Sequence, residues 1–168
     1  WGIVATTSHC YDAGTTRAIV RTADGVLREA IVGERSAGDE VLMLAIAAPP
    51  LDPIPIGEAP RGTRVRLYGF AQGSLEPTGT TGAVTGRAQL AGRHGPQLDI
   101  QVGGGSLLQI RFGRQCQPGE SGGAVVADGM LVGLLSGNDG TSAGPEAIRA
   151  VLRREIARIE ADTVIFIQ

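Results

Sequence analysis

Ser121 stands among glycines in Pro118-Gly119-Glu120-Ser121-Gly122-Gly123, and a β-rich stretch, Ala124-Val125-Val126, follows at once. Glycines let a backbone turn sharply and bring its N–H groups near a substrate without a Cβ in the way. A serine hydroxyl presented there is a candidate nucleophile, but it is too weakly acidic to attack unaided. It needs a base within hydrogen-bond reach and a third group to orient that base. The chain has two histidines. His94 lies in Ala91-Gly92-Arg93-His94-Gly95-Pro96, a polar hairpin tip, and reads as a solvated loop residue. His9 instead ends an apolar run and follows the small polar residues Thr6, Thr7 and Ser8. Asp39, ahead of the apolar run Val41 to Ala47, offers a carboxylate, and its neighbour Glu40 is the rival for the same role. Each residue has a plain reading as well, a turn for the acids and Ser121, a hydrogen-bonded strand end for His9. Taken together, the order His9, Asp39, Ser121 is one of the known chain orders of a serine–histidine–aspartate triad, the constellation for acyl transfer.

The elements that must hold these residues are short strands. A length of 168 residues fits one domain or two small subdomains, and 42% apolar content suffices for a core. The 26 glycines and 9 prolines are scattered between short β-rich runs, the pattern of an all-β chain with many turns. All fifteen basic residues are arginine, yet the net charge is −2, so nothing favours nucleic acid or an anionic membrane surface as a partner. No apolar run reaches the ~18 residues of a membrane span. Two histidines and two cysteines, Cys10 and Cys116, give no metal-ligand spacing, and neither metal nor cofactor is expected.

In chain order, strands are expected over Trp1 to Thr7, Thr15 to Arg21, Val26 to Gly33 and Val41 to Ala47, with Asp24-Gly25 as a hairpin turn. Residues 49–60 hold five prolines and read as an extended connector, dividing a first subdomain (1–48) from a second (61–168). Strands then follow at Arg64 to Phe70, Thr80 to Leu90, Gln97 to Val102, Leu107 to Phe112, Ala124 to Ala127 and Met130 to Ser136. Only afterwards does the period change: Ile148, Val151, Leu152, Ile156 and Ile159 recur at the spacing of an amphipathic helix, started by Pro145-Glu146. Thr163 to Ile167 reads as a closing strand.

Several of these stretches resemble one family. Val4-Ala5-Thr6-Thr7-Ser8-His9-Cys10 is similar to the Thr-Ala-Ala-His-Cys signature of chymotrypsin-like serine proteases, and Gly119-Glu120-Ser121-Gly122-Gly123 to their Gly-Asp-Ser-Gly-Gly. Leu131 to Gly137 resembles the strand that lines the family's substrate cleft. Asp24-Gly25 with Ile31-Val32-Gly33, Gly62 to Gly69 and the short terminal helix are closest to the bacterial HtrA-like branch. The resemblance implies two antiparallel six-stranded β-barrels with a C-terminal helix, and a serine endopeptidase acting on protein or peptide substrates. Ser121 would be nucleophile, His9 general base, and Asp39 its orienting acid, preferred to Glu40 because the family acid comes first, ahead of the apolar strand. The N–H groups of Gly119 and Ser121 would form the oxyanion hole. Ser136 matches a serine that supports the acid, and Leu135, Ser136 and Gly137 would pair with the substrate backbone. Arg114, Gln115 and Cys116 fall where the family's primary pocket lies; Arg114 there would favour an acidic side chain, while its plain reading is an arginine on the exposed side of the loop.

The chain also departs from the family. Two strands that normally precede the one at Trp1 are absent from it, so the first barrel is expected to be incomplete, with either a processed chain or another polypeptide segment closing it. The Ile-Val-Gly-Gly start is missing and Glu120 replaces an aspartate, so activation by a new N-terminal ammonium is not expected. The cysteine partner that the family supplies upstream of Cys10 is missing too, leaving a Cys10–Cys116 disulfide as an option if their Cα atoms approach within about 4.4–6.8 Å. A catalytically silent peptide-binding or scaffold module is the alternative to an enzyme, and an esterase using the same triad is a third reading.

Overall fold

The computed structural model describes residues 2–47, 52–72, 74–94 and 97–165, without the side chains of 93, 94, 97, 98 and 162–165. Four strands form the first half: β1 (Gly2–Thr6), β2 (Arg17–Arg21), β3 (Leu27–Ser36) and β4 (Val41–Ile46). They pair in the order β1-β4-β3-β2, an open antiparallel sheet whose outer strands, β1 and β2, each have one described neighbour. The second half holds β5 (Arg64–Gly69), β6 (Thr78–His94), β7 (Gln97–Val102), β8 (Leu107–Phe112), β9 (Ala124–Ala127), β10 (Met130–Leu135) and β11 (Thr141–Ala143). The ring β5-β9-β10-β11-β8-β6 closes through a β5–β6 pairing into a six-stranded barrel, and β7 pairs with the far part of β6. The helix α1 (Pro145–Ile165) follows. The expected all-β architecture with a C-terminal helix is observed, as a closed six-stranded barrel and a second, four-stranded sheet, consistent with a chymotrypsin-like double barrel.

Burial explains why β4 reads as an unbroken apolar run. Its whole length is buried, with Leu42, Leu44 and Ile46 facing the interior of the first sheet and Val41 and Met43 facing the second half. There Val41 and Met43 meet Leu131, Leu134, Ala143, Ile148 and Val151, so β4, β10, β11 and α1 share one core. At ~25 cal/mol per Å² of apolar surface buried, this shared core holds the two halves against each other. In β5, by contrast, Val65 and Leu67 point into the barrel while Arg64 and Arg66 are exposed, the alternation of a half-buried strand.

Turn chemistry matches the sequence. Asp24 accepts the Val26 N–H at 3.1 Å and Gly25 takes φ +80°; Asp128 and Gly129 both have positive φ, as a tight hairpin turn between β9 and β10 requires. The described part of the proline-rich stretch runs extended across β10: Leu131 N–H donates to the Pro55 carbonyl, and Gly57 N–H to that of Leu131. Arg149 of α1 donates to the Ile56 carbonyl at 2.7 Å, clamping the stretch from outside.

Two expectations about the C-terminus change. Residues 163–165 are helical, with no proline or glycine after Pro145 to stop α1, so β-branched Thr163, Val164 and Ile165 do not form a strand; 166 and 167 lie outside the described residues. On the helix face, Ile156 is exposed and the neighbouring Glu155 is fully buried. Its carboxylate accepts the Glu34 N–H at 2.8 Å, where β3 slips register between Val32 and Arg35, and pairs with Arg158. A polar strand bulge thus needs a polar helix partner.

Among the described glycines, Gly140 has the least room. It has φ +89°, and a Cβ there would lie 1.9 Å from the Ile110 carbonyl oxygen. The left-handed backbone alone costs an L-residue roughly 1–2 kcal/mol. Adding the backbone overlap, Gly140→Ala is expected to lower Tm by about 5 °C or more, at roughly 2–4 °C per kcal/mol for a chain of this size. A thermal melt checks this, and an unchanged Tm would contradict the packing described.

Candidate active site

Strand β1 delivers His9. It ends at Thr6, and a 3₁₀ turn over Ser8–Cys10 re-aims the chain, closed by Tyr11 N–H donating to the Ser8 carbonyl at 3.3 Å. Thr7 and Ser8 are buried beneath it, so the imidazole is presented from a packed base. His9 Nδ1–H donates to the Glu40 carboxylate at 2.7 Å. Glu40 is fully buried, and its backbone sits at φ +57°, the left-handed region that a non-glycine side chain seldom adopts. Such strain, on the order of 1–3 kcal/mol, persists where the surroundings over-determine it, and here it aims a carboxylate at an imidazole.

Asp39 does not reach His9. Its carboxylate accepts hydrogen bonds from Ser36 Oγ at 2.7 Å and from Ser106 Oγ, tying the β3–β4 turn to the β7–β8 loop. The reason is the turn into β4. Glu40 directly precedes Val41, the first residue of β4, and β4 pairs with β1 up to Leu42 and Thr6, so residue 40 lies at the end of the sheet where β1 turns into the His9 segment. Asp39 and Glu40 both belong to that turn, and the φ of +57° at Glu40 re-aims the chain between them. The residue that abuts the apolar strand is therefore the glutamate, and that adjacency was visible in the sequence.

Ser121 lies on the loop from β8 to β9. Gly119 and Gly122 on either side have φ +91° and +83°. A Cβ at Gly119 would meet Gln72 N at 2.5 Å, and one at Gly122 would meet Thr6 Oγ1 at 2.3 Å, so glycine is required for this loop to pack against both halves. Pro118 O accepts the Gln72 N–H at 2.7 Å and Leu135 O that of Gly122 at 2.8 Å, fixing the loop from two sides. Among the described residues, neither Gly119 N–H nor Ser121 N–H has a protein acceptor, and the Ser121 hydroxyl has no hydrogen-bond partner.

His9, Gly119 and Ser121 line one cavity of about 640 Å³, together with Ile100, Cys116, Gln117, Pro118, Leu135, Ser136, Gly137, Asn138 and Asp139. The structure brings His9 and Ser121 to one cleft and leaves Asp39 outside it. Arg114 and Gln115 do not line it either: the Arg114 guanidinium turns to Glu120, and Gln115 is exposed. Cys116 does, buried, with its N–H donating to the Asn138 carbonyl. Asp139, Gln117 and Ile100 are lining residues that no motif marked. Of Leu135, Ser136 and Gly137, Gly137 spends its N–H on Thr141 O and its carbonyl on Gly140 N–H, and Ser136 N–H also goes to Thr141 O. The Ser136 carbonyl is the main-chain group that has no described protein donor. The Ser136 hydroxyl faces the Leu134 carbonyl at 3.4 Å.

This arrangement has a recognisable relative. The trypsin-like peptidase domain matches residues 1–134. The chain belongs to the trypsin-like peptidase family. Among solved structures it is similar to the active form of the Rv3671c protease from M. tuberculosis, at TM-score 0.69 and 21% identity over 91% of this chain and 69% of that one. It is also similar to the HtrA-type protease AlgW with a decapeptide bound (TM-score 0.72 for the S227A form, 21% identity, 93% and 48% covered). A third is the serine endoprotease from Yersinia pestis (0.67, 23%, 93% and 54%). At these identities the likeness shows the fold, and the chain spans about half the length of the last two. No curated protein matches it significantly.

In this trypsin-like family member the two cysteines are free, Cys10 exposed and Cys116 buried with Val65, Leu67 and Ile110 inside the six-stranded barrel. Thr7 Oγ1 lies 3.2 Å from the Cys10 sulfur. The neighbouring Cys10 thiol and then the Glu40 carboxylate hold His9 well above its ordinary value, at about 9, with burial pulling the other way. Burial pushes the Cys10 thiol up, but the adjacent His9 and the Thr7 hydroxyl outweigh it and leave the thiol more acidic than usual. A general base must be neutral to accept a proton, so kcat/KM is expected to rise with pH through a midpoint well above 6.5. Cys10→Ser should move that midpoint downward. A pH–rate profile of the two proteins checks it, and an unmoved midpoint would rule out Cys10 as the main cause.

Proposed function

We propose that the chain is a serine endopeptidase acting through His9, Glu40 and Ser121. The observation that carries this is the His9–Glu40 hydrogen bond at 2.7 Å, on a histidine that lines the same cavity as Ser121 and the open N–H groups of Gly119 and Ser121. Ser121 Oγ attacks the carbonyl carbon of the scissile peptide while His9 Nε2 accepts its proton. Glu40, on Nδ1–H, fixes the tautomer and stabilises the imidazolium. The oxyanion takes hydrogen bonds from Gly119 and Ser121 N–H, each worth ~3 kcal/mol in systems where such donors have been removed. Collapse breaks the C–N bond, the departing amine takes its proton from His9, and water repeats the sequence on the acyl-serine. The Ser136 carbonyl is placed to accept an N–H from the substrate backbone. The segments 1–48 and 61–168 supply the two walls of the cleft. The open edges of β1 and β2 suit a further polypeptide segment that extends the first sheet.

The unbonded Ser121 hydroxyl favours a second reading, a silent peptide-binding module, although such hydrogen bonds often tighten only with substrate present. Incubating the chain with an unfolded protein and with a matched activated ester separates the readings. Internal cleavage with new α-amino termini, identified by mass spectrometry, is the expected result. Ester turnover without peptide cleavage would make it an acyl hydrolase, and peptide binding with neither would make it a binding module.

A further inference from the structure

The residue between the two oxyanion donors points away from the cavity. Glu120 has a side chain that is fully buried, a location that disfavours a charge unless it is paired and fully hydrogen-bonded. Four donors converge on it. Arg114 makes a bidentate fork, Nη1 to Oε2 at 2.9 Å and Nη2 to Oε1 at 2.5 Å. Thr78 Oγ1 donates at 2.5 Å from the start of β6, and Gln117 N–H at 2.6 Å from the same loop. The backbone of Glu120 is fixed as well, its N–H on the Gln117 carbonyl and its carbonyl accepting from Gly123. Arg114 is six residues upstream and spends another donor on the Gln115 carbonyl, so the guanidinium braces the whole 114–120 loop from its rear face.

We propose that Arg114 is a positioning residue for catalysis: by clamping the buried Glu120 carboxylate it holds the flanking Gly119 and Ser121 N–H groups in the geometry that receives the oxyanion. This rests on the endopeptidase reading above and replaces the idea of Arg114 as a charge on the floor of the substrate pocket. Without the guanidinium the buried carboxylate lacks its counter-charge, and the chain relieves that by rotating Glu120 toward solvent. Because Gly119 and Ser121 are joined to it directly, their N–H groups turn with it. The fork geometry matters, since a planar guanidinium fixes both carboxylate oxygens where an ammonium acts as a point charge. The cost falls on the transition state and leaves ground-state binding alone, because these donors bond most strongly to the oxyanion.

The test compares wild type, Arg114→Met, Arg114→Lys and Glu120→Gln on neutral and acidic peptide substrates, with thermal melts to confirm folding. If the wild type neither cleaves peptide nor is labelled at Ser121, the endopeptidase reading has failed and this inference falls with it. With an active wild type, Arg114→Met is expected to lose about 10²–10³ in kcat, the size of losing an oxyanion donor, with KM within about threefold, on both substrates. Arg114→Lys should regain at least about tenfold of that loss. Should Arg114→Met fail to fold, Glu120→Gln decides, with at least about a tenfold fall in kcat at unchanged KM expected. An Arg114→Met kcat within about threefold of wild type would overturn the proposal. So would a loss confined to KM on acidic substrates, which would return Arg114 to the pocket, and so would an unchanged kcat in Glu120→Gln.

Discussion

Exchanging Glu40 for glutamine is expected to lower kcat by about four orders of magnitude and to leave the fold in place, the scale seen when a triad acid becomes an amide. The argument starts from the 2.7 Å contact between His9 Nδ1 and Glu40 Oε2. A carboxylate there can only accept, which places the proton on Nδ1 and leaves Nε2 with its lone pair free, on a residue that lines the same cavity as Ser121. An amide of the same shape can present its NH₂ instead, which stabilises the opposite tautomer, and it offers no charge to the imidazolium that forms during attack. The buried site tolerates the neutral side chain more easily than the ion, so Tm should change little. The control is Asp39→Asn. Asp39 is bonded to Ser36 and Ser106, and its loss touches the anchoring of a turn. Activity within about threefold of wild type is expected there, as for substitutions away from a site. If Asp39→Asn carried the large loss and Glu40→Gln did not, the acid would be misassigned. Steady-state kinetics on the two variants settle it.

Ser121→Ala is expected to cost about six orders of magnitude in kcat, since nucleophile and base act as one unit and losing either forfeits both. The remaining rate would come from the open N–H groups of Gly119 and Ser121 and from substrate binding. Folding should be untouched, because the hydroxyl makes no hydrogen bond to any described residue and the loop is held by Gly119, Gly122 and Glu120. Circular dichroism, a thermal melt and active-site titration together distinguish a silent folded protein from a collapsed one. Retained activity would name a different nucleophile.

Much of this molecule is legible in its sequence, for local reasons. The apolar run that became β4, the Asp24-Gly25 and Asp128-Gly129 turns and the alternation in β5 are each decided by residues within a few positions of one another. Other features are not local. β6 runs for 17 residues, longer than its apolar pattern, because two register shifts let one strand pair with β5, β8 and β7 in turn. β11, three residues long, is too short to carry a period and exists because it closes the ring between β8 and β10. The buried Glu155 reads as one more charge on a helix until the β3 bulge is set beside it.

The site divides in the same way. That His9 and Ser121 meet at one cavity has local signs in the sequence, small polar residues at a strand end for one and glycines at φ +91° and +83° for the other. Asp39 and Glu40 are one residue apart in the turn before β4, where composition says little and the left-handed backbone at Glu40 sets which carboxylate lies against His9. For Arg114 the sequence leaves both the pocket and the exposed side of the loop open, because distance from Ser121 does not tell which face of a loop a side chain leaves by. The Glu120 carboxylate, buried behind the loop, fixes that face.

The most direct test of the account is reaction with a fluorophosphonate, which phosphonylates a serine only when that serine is activated. Intact mass followed by peptide mapping, on the folded chain, should show a single adduct on Ser121, formed far more slowly in Glu40→Gln and at the wild-type rate in Asp39→Asn. A folded chain that takes up no adduct, or takes it on another residue, would contradict the assignment of Ser121, His9 and Glu40 as a working triad.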